Sequence, residues 1–512
     1  MLIEGINREI YNFLEQDADL LIIRSPAGFG KTRTALYYSL AQALKGKRVV
    51  NFYRTIEEIG YALRILTEIK REKDEVLIIP LVGKEHMCRF VPDSRDLLRW
   101  WCIFLNCNFL KRRRNSDLEN HLRKKVYPSI KDYYKIARDE DLCPYFFYQD
   151  LSDKAGIILT THKYFIDDKQ FEKLGQVDIA IVDEAHNIFI IKTAEIDKHS
   201  KEVGERLFNI AEDRALREDR FAKKIWFDGD KNSVLALARY VNYREADGLE
   251  IEHGEKYIKI VTPSTLYRKR KEDIDKIILM SGTMYPITLY KEIIKTENFN
   301  TKTLIQKGMI NETKNRKILA LTIGLTTRFK ERSMDMLKKY AQVINRLNIE
   351  IEKPLIVFTP NKEMAKSLAD LLKGIYIERT FENLEKISGD CSEIIFITYM
   401  RGPLSEGVEL DLGKCNPNIE IIIGLPYPMI DSETQKIFEV YSKILNLPER
   451  QLIEAYKTSE MISTLIQTAG RVGRADKGIV VIIDDRLKSL PLGIKYINNI
   501  ELLIEIMNKF LQ

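Results

Sequence analysis

A short apolar run followed by a glycine-rich loop near the N-terminus constrains this fold most. Residues 20–23 (LLII) predict a buried strand, residues 25–32 (SPAGFGKT) predict a tight loop, and a helix-like run continues from Thr32 to Leu44. Strand, loop and helix in this order form a phosphate-binding loop, in which glycines let backbone N–H groups point at phosphate oxygens. The alternative is a chance glycine-rich turn, and motifs further along the chain argue against it.

Each residue of this loop has an expected role. The residues expected to hold a nucleotide are Ser25, Gly28, Gly30, Lys31 and Thr32. Lys31 is expected to reach the β- and γ-phosphates of ATP, and the Thr32 hydroxyl is expected to bind Mg²⁺. Ser25 stands where the pattern usually has its first glycine, so the match to the strict pattern is incomplete.

Composition sets the class of protein. A chain of 512 residues is too long for one core and predicts two to four domains. No apolar segment approaches the roughly 20 residues that span a bilayer, and the first residues lack a signal-peptide core. We therefore expect a cytoplasmic protein with no membrane contact. The net charge of +6, from 81 basic and 75 acidic residues, permits nucleic-acid binding without arguing for it.

Strand-like and helix-like segments alternate in two series. The first series has strand candidates at 20–23, 48–53, 75–81, 155–159, 179–182 and 276–280. The second has them at 318–323, 354–359, 393–398, 419–424 and 478–483. Alternation of this kind predicts an α/β fold with parallel sheets covered by helices on both faces.

An acidic motif follows one strand of the first series. The apolar residues 179–182 run directly into Asp183, Glu184, Ala185 and His186. Ligands bind at the carboxyl ends of strands in open α/β sheets. We expect Asp183 to hold the Mg²⁺ shell and Glu184 to orient and deprotonate the attacking water. Acidic residues also end strands for solubility alone, but the phosphate loop upstream favours the catalytic interpretation.

The first series is interrupted between residues 82 and 155. Four of the six cysteines lie in this insert: Cys88, Cys102, Cys107 and Cys143. In a cytosolic chain such a cluster indicates a metal site more than disulfides, and four thiolates suit zinc or iron. Cys391 and Cys415 stand apart from it.

The insert also carries interleaved basic and aromatic residues. They include Arg112, Arg113, Tyr133 and Tyr134. A solvated charged helix explains most of these residues singly, whereas the segment as a whole favours a nucleic-acid surface. A second insert, 190–271, is charged and helix-like.

The second series contains a glutamine and two arginines, Gln467, Arg471 and Arg474, next to two glycines. Arginines three residues apart share a helical face and can reach a γ-phosphate across a cleft. The alternative is an ordinary charged surface helix, which the adjoining glutamine and glycines disfavour.

The order of these motifs resembles that of superfamily 2 helicases, and the insert resembles that of the XPD group of iron–sulfur helicases. The matching segments are LVGK at 81–84 before Cys88, CPYF at 143–146 and DEAHN at 183–187. The resemblance implies two RecA-like motor domains, with an iron–sulfur domain and a mainly helical arch domain inserted into the first. The implied boundaries are 1–83 with 151–190 and 272–308 for motor domain 1, 84–150 for the iron–sulfur domain, 191–271 for the arch and 309–512 for motor domain 2.

The same resemblance implies an activity and its parts. It implies an ATP-dependent DNA helicase that translocates 5′ to 3′ on single-stranded DNA, binds forked DNA, acts as a monomer and serves DNA repair. It implies ATP, Mg²⁺ and a 4Fe–4S cluster on the four cysteines as cofactors, and protein partners through the arch. Arg471 and Arg474 would be arginine fingers, and Gln467 would sense nucleotide.

Further residues carry implied contacts with DNA. Ser281 and Thr283 would couple hydrolysis to DNA binding, and Arg54, Thr55 and Glu406 would lie near DNA. The chain departs from the pattern in lacking a visible N-terminal glutamine motif for adenine, in the short arch, and in Glu409 where relatives usually carry Asp.

Three alternatives remain open on sequence grounds. The first is an iron–sulfur helicase of the DinG type. The second is a nucleic-acid-stimulated ATPase that remodels protein–DNA complexes without separating strands. The third concerns the insert alone, which could be a structural zinc module.

Overall fold

A computed structural model gives the architecture. It describes residues 6–26, 29–213, 217–306, 312, 315–331, 333–377, 391–402, 415–469, 471–472, 477–490 and 492–511, with the side chains of Leu110 and Phe329 left out. No helix among these residues is long and apolar enough to cross a membrane.

The first sheet has seven strands in the order β10-β1-β9-β5-β2-β4-β3. Its strands are β1 (Leu20–Arg24), β2 (Val49–Tyr53), β3 (Ile78–Leu81), β4 (Ile157–Thr161), β5 (Val177–Val182), β9 (Ile274–Ser281) and β10 (Thr301–Ile305). The pairings from β1 through to β3 are parallel. Near-continuous burial along these strands is what helices on both faces of a parallel sheet impose.

Helices from the described part of the first unit accompany this sheet. They are α1 (Arg8–Leu14), α2 (Lys31–Leu44), α3 (Ile56–Ile69), α9 (His162–Ile166), α10 (Asp168–Phe171), α14 (Pro263–Asp273) and α15 (Ile287–Ile294). Arg270 of α14 is fully buried; its Nε donates to the Phe165 carbonyl at 2.7 Å and its guanidinium pairs with Asp168 at 2.8 Å. These contacts anchor the chain where it returns from the second insert to the sheet.

The cysteine-bearing insert is built of short helices. They are α4 (Lys84–Met87), α5 (Trp101–Phe104), α6 (Ser116–Lys124), α7 (Ile130–Asp139) and α8 (Pro144–Asp150). The second half of the insert packs on the first sheet, where the buried Tyr133 hydroxyl donates to the Ile78 carbonyl of β3 at 3.0 Å.

The second insert combines three helices with a small antiparallel sheet of order β6-β8-β7. Its elements are β6 (Ile191–Asp197), α11 (Lys198–Asp213), α12 (Glu218–Phe227), α13 (Lys231–Glu245), β7 (Leu249–His253) and β8 (Lys256–Val261). The expectation of a mainly helical segment therefore missed a three-stranded sheet.

The two inserts share one hydrophobic core. Leu97, Trp100 and Phe104 of the cysteine insert lie in the same buried cluster as α11, α12 and α13. The ring of Phe104 stacks on Trp226 with centroids 5.3 Å apart and planes at 19°. The cysteine insert is therefore divided between two supports, because its first part packs on the second insert and its second part on the sheet.

The second seven-stranded sheet has the order β13-β14-β12-β15-β16-β11-β17, and its pairings are parallel. Its strands are β11 (Arg316–Leu321), β12 (Leu355–Thr359), β13 (Ile375–Tyr376), β14 (Ile395–Tyr399), β15 (Ile419–Ile423), β16 (Gly478–Ile483) and β17 (Lys495–Ile497). The remaining helices are α16 (Met334–Ile351), α17 (Lys362–Leu372), α18 (Ser432–Leu445), α19 (Glu449–Thr468) and α20 (Ile500–Leu511). Two parallel sheets with helices confirm the predicted fold class.

The chain divides into two compact units. The first comprises Met1–Arg24, Gly30–Leu304 and Asp431–Ile453, and the second comprises Ser25–Phe29, Ile305–Ile430 and Glu454–Gln512. The sequence placed 431–453 in the second motor, whereas α18 packs with the second insert. The Tyr441 hydroxyl donates to the Val261 carbonyl at 2.8 Å and accepts from the Ile191 N–H at 3.0 Å.

Cys391 and Cys415 form a disulfide within the second unit, with their Cα atoms 5.3 Å apart. No pairing of these two cysteines was predicted from the sequence. They precede β14 and β15 and lie on either side of residues outside the described chain, so their pairing had no local sequence signal.

Candidate functional site

The phosphate loop leads from β1 into α2. Gly30 caps α2 with a φ of +74°, a left-handed conformation that a residue with a Cβ adopts at a cost. The Lys31 side chain is buried at the N-terminus of α2, where the helix dipole favours anions. Ser25 is fully buried, and its hydroxyl donates to the Gln306 side chain at 2.6 Å. Gly28 lies outside the described residues.

Thr32 of the phosphate loop and Asp183 of the acidic motif lie in direct contact. The Thr32 hydroxyl donates to Asp183 Oδ2 at 2.6 Å, and Asp183 follows β5. Asp183 is itself buried, and His162 Nε2 donates to its carbonyl oxygen at 2.7 Å. A hydroxyl and a carboxylate at this distance are oxygen donors of the kind Mg²⁺ takes.

Glu184 lies beside a buried polar network at the end of β9. His186 Nδ1 is 2.8 Å from the Ser281 hydroxyl and 3.3 Å from Glu184 Oε2. The Ser281 hydroxyl also donates to Glu184 Oε2 at 3.4 Å and accepts the Thr283 N–H at 3.0 Å. The Glu184 side chain is 38% exposed. Its Oε2 atom contacts His186 and Ser281, and the rest of the carboxylate is accessible to solvent.

The electrostatics of the two carboxylates differ. Burial and the neighbouring charge of Glu184 raise the pKa of Asp183, and Thr32 and Lys31 oppose the rise. Burial also acts to raise the pKa of Glu184, but His186, Lys31 and Ser281 outweigh it and hold the pKa below its usual value. The arrangement therefore keeps Glu184 in its ionised form, the form a general base needs.

Glu58 is an acidic neighbour that the sequence reasoning missed. Its carboxylate accepts the N–H groups of Arg54 at 2.8 Å and Thr55 at 3.2 Å, and Thr55 caps α3. Burial raises the pKa of Glu58 to about 7, to which the charges of Asp183 and Glu184 contribute. The spacing of Thr55 and Glu58 is the capping-box signal that could have found it.

A groove of about 760 Å³ opens next to Arg54 and Thr55 within the first unit. Its walls come from the first sheet, the cysteine insert and the second insert. Its lining is basic on balance: the basic residues are Arg54, Lys84, Arg95, Arg99, Lys163, Lys169, Lys173 and Arg239, and the acidic ones are Glu85, Asp96, Asp167, Glu195 and Glu245. Basic residues from three chain segments around one groove suit a polyanion. Among the lining residues, the sequence assigned nucleic-acid contacts only to Arg54 and Thr55.

Ion pairs join the two inserts across one side of this groove. Arg99 of the cysteine insert makes a bidentate contact with Glu245 of α13 at 2.5 and 2.6 Å. Asp96 accepts from Arg239 at 3.0 Å. These pairs lie beside the shared aromatic core, so polar and apolar contacts together hold this wall of the groove.

The other residues predicted to contact nucleic acid lie in different environments. Arg112 and Arg113 line a second cavity of about 520 Å³, and Arg113 lies 4.0 Å over the Phe146 ring. Tyr134 is half-buried. The prediction for Tyr133 was wrong, because its ring is fully buried and its hydroxyl is bonded to β3, so no base can stack on it.

The four clustered cysteines are free thiols, each partly buried. Burial raises the pKa of Cys88 and of Cys143; the charges of Cys102 and Cys107 add to the rise in both, and that of Cys88 adds to the rise in Cys143. The thiols therefore lie within electrostatic range of one another. Among the described residues no group of three or more His, Cys, Asp or Glu side chains is gathered closely enough to hold a metal ion.

The motif of the second series is described in part. Gln467 is exposed in the last turn of α19, and Arg471 follows that helix with an intermediate exposure. Arg474 and Glu406 lie outside the described residues, so their expected roles remain predictions.

Comparisons with known proteins place these features in context. Two family models match: DEAD_2 over residues 52–205 and the helicase C-terminal domain over residues 330–501. The ATP-dependent DNA helicase XPD of Sulfolobus acidocaldarius is 22% identical over 538 residues, covering 92% of this chain and 93% of that protein. A regulator of telomere elongation helicase 1 homolog from Anopheles gambiae is 24% identical over 261 residues, covering 46% of this chain and 23% of that protein.

Solved structures show the same architecture. An XPD helicase structure matches with a TM-score of 0.63 at 18% identity, covering 96% of this chain and 98% of that one. An apo XPD structure matches with a TM-score of 0.53 at the same identity and coverage. At this identity the likeness shows the fold, and the fold agrees with the two parallel sheets.

Proposed function

We propose that this chain, an ATP-dependent helicase of the XPD-like group, translocates 5′ to 3′ on single-stranded DNA, unwinds forked duplex and serves DNA repair. The observation that carries the DNA part of the proposal is the basic groove. It opens beside Arg54 and Thr55, which follow β2, and β2 is the neighbour of the strand that leads to Asp183. A nucleic-acid strand in this groove would lie near the residues that hydrolyse ATP.

The hydrolytic residues have distinct tasks. Lys31 neutralises the phosphates of ATP, and the Glu184 carboxylate orients the attacking water and accepts its proton. Thr32 and Asp183 would hold Mg²⁺, which supplies charge neutralisation at the phosphates when bound. Arg471 and Arg474 stabilise the charge that develops on the γ-phosphate, as their spacing and the glycines beside them support.

Ser281 and Thr283 link this chemistry to the strand. The Ser281 hydroxyl contacts both Glu184 and His186, so a shift of the loop after β9 changes the position of the general base. Backbone contacts with DNA carry no sequence information, and binding is therefore sequence-independent and sensitive to salt.

Cys88, Cys102, Cys107 and Cys143 would hold the 4Fe–4S cluster. The chemistry of the donor set suits such a cluster, because iron–sulfur clusters are held by four Cys thiolates and these four thiols are free. When bound, a group held by these four residues would crosslink a loop-rich insert. Broad visible absorption of the purified protein supports iron, and a colourless protein with one zinc per chain supports the zinc alternative.

The test of the function is an unwinding assay on duplexes with a 5′ or a 3′ overhang, run with the parent, Lys31→Ala and Glu184→Gln. We expect ATP-dependent unwinding of the 5′ substrate by the parent alone, with ATP binding retained in Glu184→Gln. DNA-stimulated hydrolysis without strand separation would instead favour the remodelling ATPase. Unwinding from the 3′ overhang would contradict the proposed direction, and full hydrolysis by Glu184→Gln would contradict the assignment of the base.

A further inference from the structure

A helix from the second half of the chain is held by the first compact unit. α18 (Ser432–Leu445) comes after β15 in sequence, yet residues 431–453 belong to the first unit, and the chain on either side of them belongs to the second. This segment is therefore an excursion of the second half of the chain into the first unit. The contacts of α18 there determine what the second half of the chain can act on.

α18 contacts the root of the second insert, the pair of strand ends at which the chain enters and leaves that insert. β6 begins at Ile191 and β8 ends at Val261, and these two residues are partners in an antiparallel pair. The Tyr441 hydroxyl of α18 accepts the Ile191 N–H at 3.0 Å and donates to the Val261 carbonyl at 2.8 Å. A tyrosine hydroxyl can donate one hydrogen bond and accept another, so a single oxygen holds both ends of the insert.

Apolar and ionic contacts surround this hydroxyl. Tyr441 is 0% exposed, so water does not compete for its two hydrogen bonds. Three residues earlier, the buried ring of Phe438 meets Phe189 edge-on, with centroids 6.0 Å apart. At the start of the helix, Glu433 pairs with Lys192 of β6. α18 therefore holds the root of the second insert through side chains along its length.

A second helix connects α18 to the second unit. Only two residues, Leu447 and Pro448, separate α19 from the C-cap of α18. The division between the two units falls within α19, between Ile453 and Glu454. A continuous helix of 20 residues is about 30 Å long and transmits a displacement that a loop would absorb. The last turn of α19 carries Gln467, which is expected to sense nucleotide.

We propose that Tyr441 is a positioning residue that couples the second insert to a nucleotide-dependent movement of α19. This inference rests on the proposed function, since it concerns how hydrolysis of ATP becomes strand separation. A displacement of α19 on nucleotide binding moves α18, and the Tyr441 hydroxyl passes the movement to both strands at the root. β6 lines the basic groove with Thr193, Ala194 and Glu195, so the groove changes shape in each cycle.

Removal of the hydroxyl alone, in Tyr441→Phe, tests this coupling. Phenylalanine fills the same space but can neither accept from Ile191 nor donate to Val261. The rate of unwinding of a duplex with a 5′ overhang should fall by about tenfold, because two buried hydrogen bonds are lost. The kcat for ATP at saturating single-stranded DNA should change less than about twofold, because the variant leaves the hydrolytic residues in place.

Amide hydrogen exchange gives a readout that a purely structural role would not change. In the parent, a non-hydrolysable ATP analogue with single-stranded DNA should alter the exchange rates of β6 and β8 amides by at least about threefold. In Tyr441→Phe the same ligands should still protect α2, which follows the phosphate loop, but should no longer alter β6 or β8. A hydroxyl that only stabilised the root would instead keep exchange slow in both states, and its loss would leave the nucleotide-dependent difference in place.

Tyr340→Phe is the matched control. Tyr340 lies on α16 in the second unit, is 0% exposed, and its hydroxyl donates to the Ile483 carbonyl of β16 at 3.3 Å. The substitution removes the same atom from a buried site of the other unit. It should keep the parent's ratio of unwinding to hydrolysis and the parent's nucleotide-dependent exchange. Thermal unfolding establishes that both variants are folded.

The outcomes separate this inference from the proposed function. A Tyr441→Phe protein with the parent's ratio of unwinding to hydrolysis, or with the parent's nucleotide-dependent exchange in β6 and β8, overturns the positioning role. Equal losses in Tyr441→Phe and Tyr340→Phe overturn it as well. The parent alone also tests it, since exchange in β6 and β8 that does not respond to nucleotide overturns it without any variant. A parent that hydrolyses ATP but separates no duplex would instead refute the proposed unwinding.

Discussion

The shared aromatic core of the two inserts gives a prediction whose size follows from the structure. Phe104 is 4% exposed, stacks on Trp226 and lies within 6.4 Å of the ring centroids of Trp100 and Trp101. Truncating a buried phenylalanine to alanine costs about 3–5 kcal/mol, including the aromatic contacts it loses. A domain is stabilised by only about 5–15 kcal/mol in total, so Phe104→Ala should open this core locally.

Amide hydrogen exchange measures that opening element by element. A loss of about 3–5 kcal/mol corresponds to exchange faster by about two to nearly four orders of magnitude in α12 and α13. Amides of β1, β5 and β9 should keep their protection, because the first sheet has its own core. Hydrolysis of ATP stimulated by single-stranded DNA should survive, while unwinding should fall, because the groove loses a wall.

A matched control lies on α12, the helix that carries Trp226. Phe227 follows Trp226 at the end of α12 and is 64% exposed, so Phe227→Ala removes the same atoms without making a cavity. It should leave exchange in α13 unchanged. Unchanged exchange in Phe104→Ala, or equal acceleration in both variants, would refute the reasoning that one core supports both inserts.

Two further predictions concern DNA. Binding of single-stranded DNA should weaken by about 10³–10⁵-fold between about 50 and about 200 mM salt if at least six phosphates are contacted. Arg54→Ala should reduce the slope of the log binding constant against log salt concentration by about one. A slope equal to the parent's would show that Arg54 does not contact the DNA. Cys143→Ser should release the bound metal and loosen the insert while both motors keep DNA-stimulated hydrolysis. Unwinding of a duplex with a 5′ overhang should then be lost, because separating each base-pair step removes stacking of about 1.4 kcal/mol and needs a rigid wedge. A folded, metal-free Cys143→Ser protein that unwinds like its parent would contradict the wedge.

Local sequence signals predicted the strands of both sheets and the proximity of Thr32 and Asp183. Apolar runs become β15 and β16 within a residue of the expected bounds and β5 within two residues, since parallel strands buried on both faces leave this pattern. Thr32 and Asp183 meet at 2.6 Å although 151 residues separate them. Their proximity was predictable, because each motif follows a strand of the same parallel sheet and lies at the carboxyl edge of that sheet.

Long-range packing was beyond the same signals. Tyr133 sits among basic residues and looked like a stacking residue, yet its ring is buried against β3. The groove gathers Lys84, Lys163 and Arg239 from three separate segments, and no window of sequence contains them together. Glu420 occupies one position of an apolar run, and the run predicted a strand without revealing that the carboxyl has no partner.

The placement of the cysteine insert changes how the groove is understood. A segment of about 65 residues with short helices has little core of its own and needs support from neighbours or from a metal. The structure supplies two supports, since Trp100 and Phe104 bury into the second insert while Tyr133 and Tyr148 bury toward the first sheet. Cys102 lies on α5, between Trp100 and Phe104 in the sequence. Cys143 is the N-cap of α8, the helix that carries Tyr148. A group bound by all four thiols would therefore tie the halves of the insert together and would support the wall of the groove alongside the Arg99–Glu245 pair.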